Sequence, residues 1–245
     1  MKKMMFILCA VLALLGTSAS SKTLVVYYSY TGNCHEIVTT LTSQIQADVL
    51  EIQPADKGLK YEANGYALGT QLLNAIKAAP NNAGSYPAID PVSTSLADYQ
   101  NIIIVTPLWW SQMAAIMQAY LFSAGPEMAG KNIGLIVSSA SSGISGVVAD
   151  CKRLVPDGNY FSENLWINNS NRSRRSTLIK DWLSAINFQE ATGVGQNENG
   201  EARTGNAPVY DLSGRKIVNR KSVNRQFSNL PKGIYIANGR KLLRK

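Results

Sequence analysis

The stretch Ser29-Tyr30-Thr31-Gly32-Asn33-Cys34 interrupts an apolar run and leads into a helical pattern. Its residue types suit the holding of a phosphate. Ser29 and Thr31 carry hydroxyl donors, and Gly32 lets the backbone come close to a ligand. Asn33 and Cys34 fall where a starting helix presents free N–H groups and the positive end of its dipole. A small polar loop of this kind can also serve only to cap the helix, and the spacing leaves both readings open. Nothing matches Gly-x-x-x-x-Gly-Lys-Ser/Thr and the loop holds no Lys or Arg, which argues against nucleoside triphosphate chemistry. Two other stretches carry ring-binding chemistry. In Thr106-Pro107-Leu108-Trp109-Trp110-Ser111-Gln112-Met113, two adjacent tryptophans follow a buried-strand run, and an exposed one would offer a stacking platform. Ser138 to Gly146, SSASSGISG, supplies small hydroxyl and glycine residues able to wrap a planar polar ring with backbone groups.

Other chemistries are poorly supplied. His35 is the only histidine, so histidine triads and multi-histidine metal sites are excluded. It is expected to be exposed on the first turn of a helix. There is no Cys-x-x-Cys or paired-carboxylate motif, so no metal is expected. Cys34 at a helix N-terminus is either a reactive thiolate or a small residue tolerated in a binding loop.

These loops need a frame at whose edge they can meet. Thr23 to Tyr28 reads as a strand buried on both faces, followed by an amphipathic helix (Ile37, Val38, Leu41, Ile45) over Asn33 to Gln46 and a second strand, Val49 to Ile52. A long insertion holding one helix, Gly65 to Ala78, precedes the next strand, Asn101 to Thr106. A connection of that length is more often functional or a cover than empty loop. The alternation then resumes with a helix through Ile116 and Tyr120, a strand at Asn132 to Ser138, a helix at Val147 to Leu154, a strand near Tyr160 to Ile167 and a helix through Leu178, Trp182 and Ile186. Alternating strands and helices predict an α/β fold, a parallel sheet covered on both faces. Ligands of such sheets bind beyond the carboxyl ends of the strands, where all three loops fall.

The ends differ from this middle. Lys2 and Lys3, an apolar run from Met4 to Leu15 and small residues after it read as a signal peptide over residues 1–21, and the run is shorter than the about 20 apolar residues of a membrane span. Without Cys9 the chain keeps only Cys34 and Cys151, so no disulfide framework holds it together. Residues 189–206 read as a linker, and 207–245 as a small β module with strands at Ala207 to Leu212 and Gly233 to Ala237. From Gln189 onward there are 11 Lys and Arg against 4 Asp and Glu, so most of the net +8 belongs to the tail. Its cations alternate with strand residues and turn glycines, which points to solvated strand edges and not to nucleic-acid binding.

YYSYTGN before an amphipathic helix, TPLWWSQM after the third strand and SSASSG after the fourth together resemble the flavodoxin family, in particular its long members with an extended insertion and a Trp-Trp second loop. The resemblance covers residues 22–188. It implies a doubly wound five-stranded parallel sheet of order 2-1-3-4-5 with helices on both faces, binding flavin mononucleotide (FMN) without a covalent bond. Carried over by position, it places Ser29, Tyr30, Thr31, Gly32, Asn33 and Cys34 on the phosphate. Pro107, Leu108, Trp109 and Trp110 form the second loop, with Trp110 stacked on the ring and Trp109 packing or at the rim. Ser138, Ser139, Ala140, Ser141, Ser142 and Gly143 meet the pyrimidine edge. This chain has Cys34 where the family has Thr, Ser111 where it has Gly, and no aromatic residue in the third loop, so the ring is expected to be stacked on one face. The same topology puts Cys34 and Cys151 on opposite faces of the sheet, as two separate thiols.

The tail, with Pro231, Gly233, Tyr235, Asn238-Gly239 and Lys241 to Lys245, resembles the C-terminal cargo domain of the type nine secretion system. Together these resemblances imply an exported electron-transfer flavoprotein, periplasmic, cell-surface or secreted. A redox partner protein or small electron acceptor would take its electrons, and the secretion machinery would read the tail. No side chain need act as acid or base. A flavin-dependent reductase of quinones or similar acceptors, and a binding module that has lost its flavin, are the alternatives.

Overall fold

The computed structural model describes residues 22–188 in full and, beyond them, the backbone of strand segments 209–210, 216–218, 233–237 and 240–244. The expected signal peptide and linker lie outside the described residues. The chain divides into two compact units between residues 191 and 192.

In the first unit, five positions of a parallel sheet are filled in the order β2 (Asp48–Glu51), β1 (Lys22–Tyr27), β3 (Tyr99–Trp109), β5 (Asn132–Ser139) and a fifth place shared by β6 (Asn159–Tyr160) and β7 (Leu165–Asn168). β4 (Gln112–Met113) is a short antiparallel partner of the end of β3. Strand order reverses between β1 and β3, which fixes the ligand edge at their carboxyl ends.

The sheet is buried on both faces because its strands are apolar at successive positions. Leu24, Val26, Ile102, Ile104, Leu135 and Val137 enter one core cluster, while Val25, Tyr27, Ile103, Val105 and Ile136 enter the other. This is the period-two alternation of a strand. The first cluster is covered by α3 (Ala115–Ala124), through Ile116, Met117, Tyr120 and Leu121, and by α4 (Ser145–Leu154), through Val147 and Cys151. The second is covered by α1 (Asn33–Thr42), through Cys34, Ile37 and Leu41, and by α5 (Arg175–Ala185), through Ile179 and Trp182. The two cysteines are free and lie on opposite faces of the sheet, as expected.

Three elements differ from the sequence reading. α1 ends at Thr42 instead of Gln46, and the hydroxyls of Thr39, Thr40, Thr42 and Ser43 bond back to carbonyls three or four residues earlier, which competes with helix continuation. The fifth strand is interrupted at 161–164, where the Glu163 carbonyl accepts from Trp182 Nε1 at 2.9 Å. In the insertion, α2 (Ala63–Ala78) opens on three left-handed residues, Asn64, Gly65 and Tyr66, before its regular turns pack Leu73 and Ile76 against Ala115.

The second unit is a four-stranded antiparallel sheet in the order β11 (Arg240–Arg244), β10 (Gly233–Ala237), β8 (Val209–Tyr210) and β9 (Lys216–Val218). β8 and β10 fall on the expected strands. β9 and β11 add to them, and β11 is the basic terminus itself.

Candidate functional site

The first loop leaves β1 beyond Tyr28, whose N–H still bonds to Val105 at 3.2 Å. Gly32 has φ +84°, the left-handed conformation glycine adopts freely, and this turns the chain into α1. Ser29 Oγ accepts from the His35 N–H at 3.2 Å, and the Glu36 N–H returns to the Gly32 carbonyl at 3.0 Å. Asn33 and Cys34, the first two residues of α1, have no helical acceptor for their N–H groups, and no side chain caps the helix from Gly32. Capping by Ser29 therefore uses one donor and leaves two toward the cavity. Asn33 Nδ2 donates to Thr31 Oγ1 at 3.0 Å, so the two exposed side chains hold each other at the loop rim.

The second loop is a tight hairpin. Trp109 pairs with Gln112 and Leu108 with Met113, leaving Trp110 and Ser111 as a two-residue turn with φ of +46° and +63°. This is the backbone of the primed turns that match strand twist, usually given to Asn or Gly. The two tryptophans diverge as a result. Trp109 turns inward against Tyr28 (centroids 5.9 Å apart) and Tyr61 (4.9 Å), whereas Trp110 is 47 % exposed. Trp110 leans on α2, with Tyr66 edge-on at 5.8 Å. A Cβ on Gly69 would come within 2.8 Å of its ring, so that glycine makes room for it.

In the third loop, Ser139 Oγ donates to the Ser142 carbonyl at 3.0 Å and accepts from Trp166 Nε1 at 2.8 Å, while the Asn169 N–H bonds to Ala140 at 3.1 Å. The three loops enclose a cavity of about 700 Å3. Of the residues named from sequence, Ser29, Tyr30, Thr31, Asn33, Cys34, Pro107, Leu108, Trp109, Trp110, Ser138, Ser139 and Ala140 line it. Gly32 lies between lining residues without being one. Ser141 faces a separate shallow hollow beside Trp166, and Ser142 and Gly143 are not on the cavity wall.

Four lining residues escaped the sequence reading: Tyr61, Glu62 and Tyr66 from the insertion, and Asn169 after β7. The insertion is tied to the first loop by Tyr30. Its hydroxyl donates to the Glu62 carboxylate and accepts from the Tyr61 N–H at 3.2 Å, and its ring meets Tyr61 edge-on at 5.0 Å. That bond holds the Glu62 carboxyl below the usual range and raises the Tyr30 phenol. The insertion thus adds two aromatic side chains, Tyr61 and Tyr66, to the cavity lining beside Tyr30, Trp109 and Trp110.

Cys34 sits in surroundings that disfavour its thiolate. It is 1 % exposed, and burial pushes its thiol well above the ordinary range, partly offset by Ser138. The stronger donor it offers a ligand is its backbone N–H, the neutral S–H being a weak one. Burial likewise pushes Cys151 up to about 12. His35 is exposed, as expected, with Nδ1 2.9 Å from the Tyr27 hydroxyl.

A doubly wound sheet with a phosphate-type loop, an aromatic hairpin and a hydroxyl-rich third loop at its switch point defines a nucleotide-binding α/β protein. The chain belongs to the flavodoxin family, whose model matches residues 22–186. Among solved structures it is similar to one assigned as a flavoprotein from Bacteroides uniformis ATCC 8492, at 26 % identity and TM-score 0.53 over 66 % of this chain and 99 % of that one. A second, from Bacteroides eggerthii DSM 20697, matches at 24 % identity and TM-score 0.53, over 69 % and 99 % of the two chains. A flavoprotein from Lactobacillus acidophilus NCFM, solved in complex with FMN, matches at 19 % identity and TM-score 0.50, over 64 % and 99 %.

Proposed function

We propose that this chain is an exported FMN-binding protein that passes electrons. One observation carries the reading: three loops beyond β1, β3 and β5 close on a cavity with a phosphate-type loop at one end and the exposed Trp110 on its wall. The residues present fit the cofactor. The Asn33 and Cys34 N–H groups and the Thr31 hydroxyl offer donors to a phosphate, Trp110 offers a ring face, and Ser138 and Ser139 bring backbone groups to the polar edge. A volume of about 700 Å3 falls in the ordinary range for small-ligand pockets. The similarity to the Bacteroides flavoproteins and to the Lactobacillus FMN complex supports the assignment.

FMN, when bound, supplies the one- or two-electron chemistry. The chain's own part is binding and environment. The first loop neutralises the phosphate with backbone dipoles. Trp110 sets one face of the ring, and Tyr61 and Trp109 exclude water from the cavity floor. Export rests on the signal-like segment 1–21 and on the basic β tail. Its resemblance to type nine cargo domains makes the secretion machinery one partner, with a redox protein or small acceptor as the other.

A flavin-dependent reductase is the second reading, favoured by the Tyr30–Glu62 pair. A hydroxyl bonded to a carboxylate on the cavity wall can pass protons, and quinone reduction consumes two protons with its two electrons. Steady-state turnover distinguishes the two. A carrier loaded with FMN is expected to be inert toward a nicotinamide donor and quinone until a partner reductase is added, and turnover without one moves the assignment to reductase.

A further inference from the structure

The turn that presents Trp110 is held by a closed ring of hydrogen bonds from elements outside the cavity. Both backbone groups of Met113, two residues past the turn, are taken by side chains. Its N–H donates to Asp150 Oδ2 at 3.0 Å, and its carbonyl accepts from Gln118 Nε2 at 2.7 Å. Arg153 closes the ring, donating to Gln118 Oε1 at 2.7 Å and to Asp150 Oδ1 at 3.1 Å, with a further bond to the Tyr86 hydroxyl at 3.1 Å. Gln118 is fully buried on α3, while Asp150 and Arg153 lie on α4. A second contact comes from the start of α4, where a Cβ on Gly146 would lie 2.0 Å from the Ser111 carbonyl oxygen.

The hairpin needs such support. It has only two cross-strand pairs, and both turn residues, Trp110 and Ser111, sit in the left-handed region without being glycine. A conformation of this kind persists when its surroundings over-determine it. Gln118 is buried while Asp150 and Arg153 are partly exposed, and together their bonds hold Met113 through both of its backbone groups. Because α4 follows directly on the third loop, it also couples the two loops on either side of the cavity.

We propose that Asp150, Gln118 and Arg153 are positioning residues for Trp110, fixing the tryptophan's ring where it stacks on a flavin and so setting affinity for the ring and not for the phosphate. The proposal rests on the flavin reading. Its test uses the full chain with Asp150→Ala, Asp150→Asn and Gly146→Ala. Dissociation constants for FMN and for riboflavin are read by flavin fluorescence, and the Trp110 resonance by fluorine NMR of 5-fluorotryptophan-labelled apoprotein, assigned with Trp110→Phe.

Asp150→Ala is expected to weaken FMN and riboflavin by the same factor, about tenfold, the size of one lost charge-assisted bond. It should also shift or broaden the Trp110 resonance without flavin. Asp150→Asn keeps an acceptor for the Met113 N–H and is expected to recover most of the loss. Gly146→Ala reaches the turn by another route, displacing Ser111, and serves if Asp150→Ala does not fold. A lower melting temperature with an unmoved Trp110 resonance and unchanged riboflavin affinity would overturn the proposal, reducing the ring of bonds to a stability element. Should the wild-type chain bind no flavin, the functional reading fails, while the apoprotein resonance still decides whether the ring of bonds holds the turn.

Discussion

Tyr30, in the middle of the phosphate-type loop, donates its hydroxyl to the carboxylate of Glu62, which lies 32 residues further along in the insertion. One side chain therefore links the loop that would hold the cofactor's phosphate to the segment that walls the ring site. The bond also favours the charged form of Glu62.

Because Glu62 titrates below its ordinary range in the folded protein, the link is present above the unfolded carboxylate pKa and is lost as pH falls through the lowered folded value. The protection factors of the 61–66 amides, taken against the intrinsic exchange rate at each pH, are expected to fall on acidification through that range. In Tyr30→Phe, which leaves the Tyr61 N–H without its acceptor, exchange there should be fast already at neutral pH and lose its dependence on Glu62 protonation. Unchanged exchange in Tyr30→Phe would show that the insertion is held by other contacts.

The adjacent tryptophans should respond oppositely to truncation. Trp110→Ala removes a largely exposed ring and is expected to leave the melting temperature nearly unchanged while lowering flavin affinity at least tenfold. Trp109→Ala opens a hole between Tyr28 and Tyr61 and is expected to cost about 2 kcal/mol, below the usual figure for a fully buried tryptophan. Thermal unfolding and flavin titration of both variants check the split.

Gly69→Ala separates helix stability from site geometry. Alanine is better than glycine within a helix by up to about 1 kcal/mol, yet its Cβ would meet the Trp110 ring at 2.8 Å. The ring can swing, so the expected result is equal or higher thermal stability with altered flavin affinity and altered tryptophan emission. A stabilised variant with native affinity and unchanged tryptophan emission would mean that the ring does not rest on α2.

Both thiols are raised by burial, so the folded protein disfavours their ionisation. A group raised in this way contributes stability that is complete below the unfolded thiol pKa, about 8.5, and is lost as pH rises toward the folded value. Melting temperature should fall progressively above that point, and an aromatic disulfide reagent at pH 8 should modify neither Cys34 nor Cys151 until denaturant is added. Rapid labelling of native Cys34 would restore the reactive-thiol reading.

Much of the frame was legible because burial on both faces leaves an unmistakable trace: Val25-Val26-Tyr27, Ile102-Ile103-Ile104 and Leu135-Ile136-Val137 fill both core clusters at successive positions. The fifth strand was less so, since Phe161-Ser162-Glu163-Asn164 carries no strand-breaking glycine or proline, and the bond that the Glu163 carbonyl accepts from Trp182 leaves no local signal. The three loops could be placed by strand order alone. Tyr61, Glu62 and Tyr66 could not, because their route to the site runs through Tyr30 and through left-handed residues at 64–66, neither of which leaves a periodic signal. Asn64-Gly65 was the one local hint, a pair that favours positive φ. Ser141, Ser142 and Gly143 had the right composition for the ring edge, but the Ser139–Ser142 bond folds that loop back on itself and turns Ser141 to the neighbouring hollow.

The most direct measurement is the visible absorption spectrum of the full chain after incubation with FMN and gel filtration. Flavin bands co-eluting with the protein, and lost in a Thr31→Ala, Trp110→Ala double variant that melts like wild type, are the predicted result. A colourless wild-type protein would contradict the account and leave a flavodoxin-family frame whose ligand is something other than FMN.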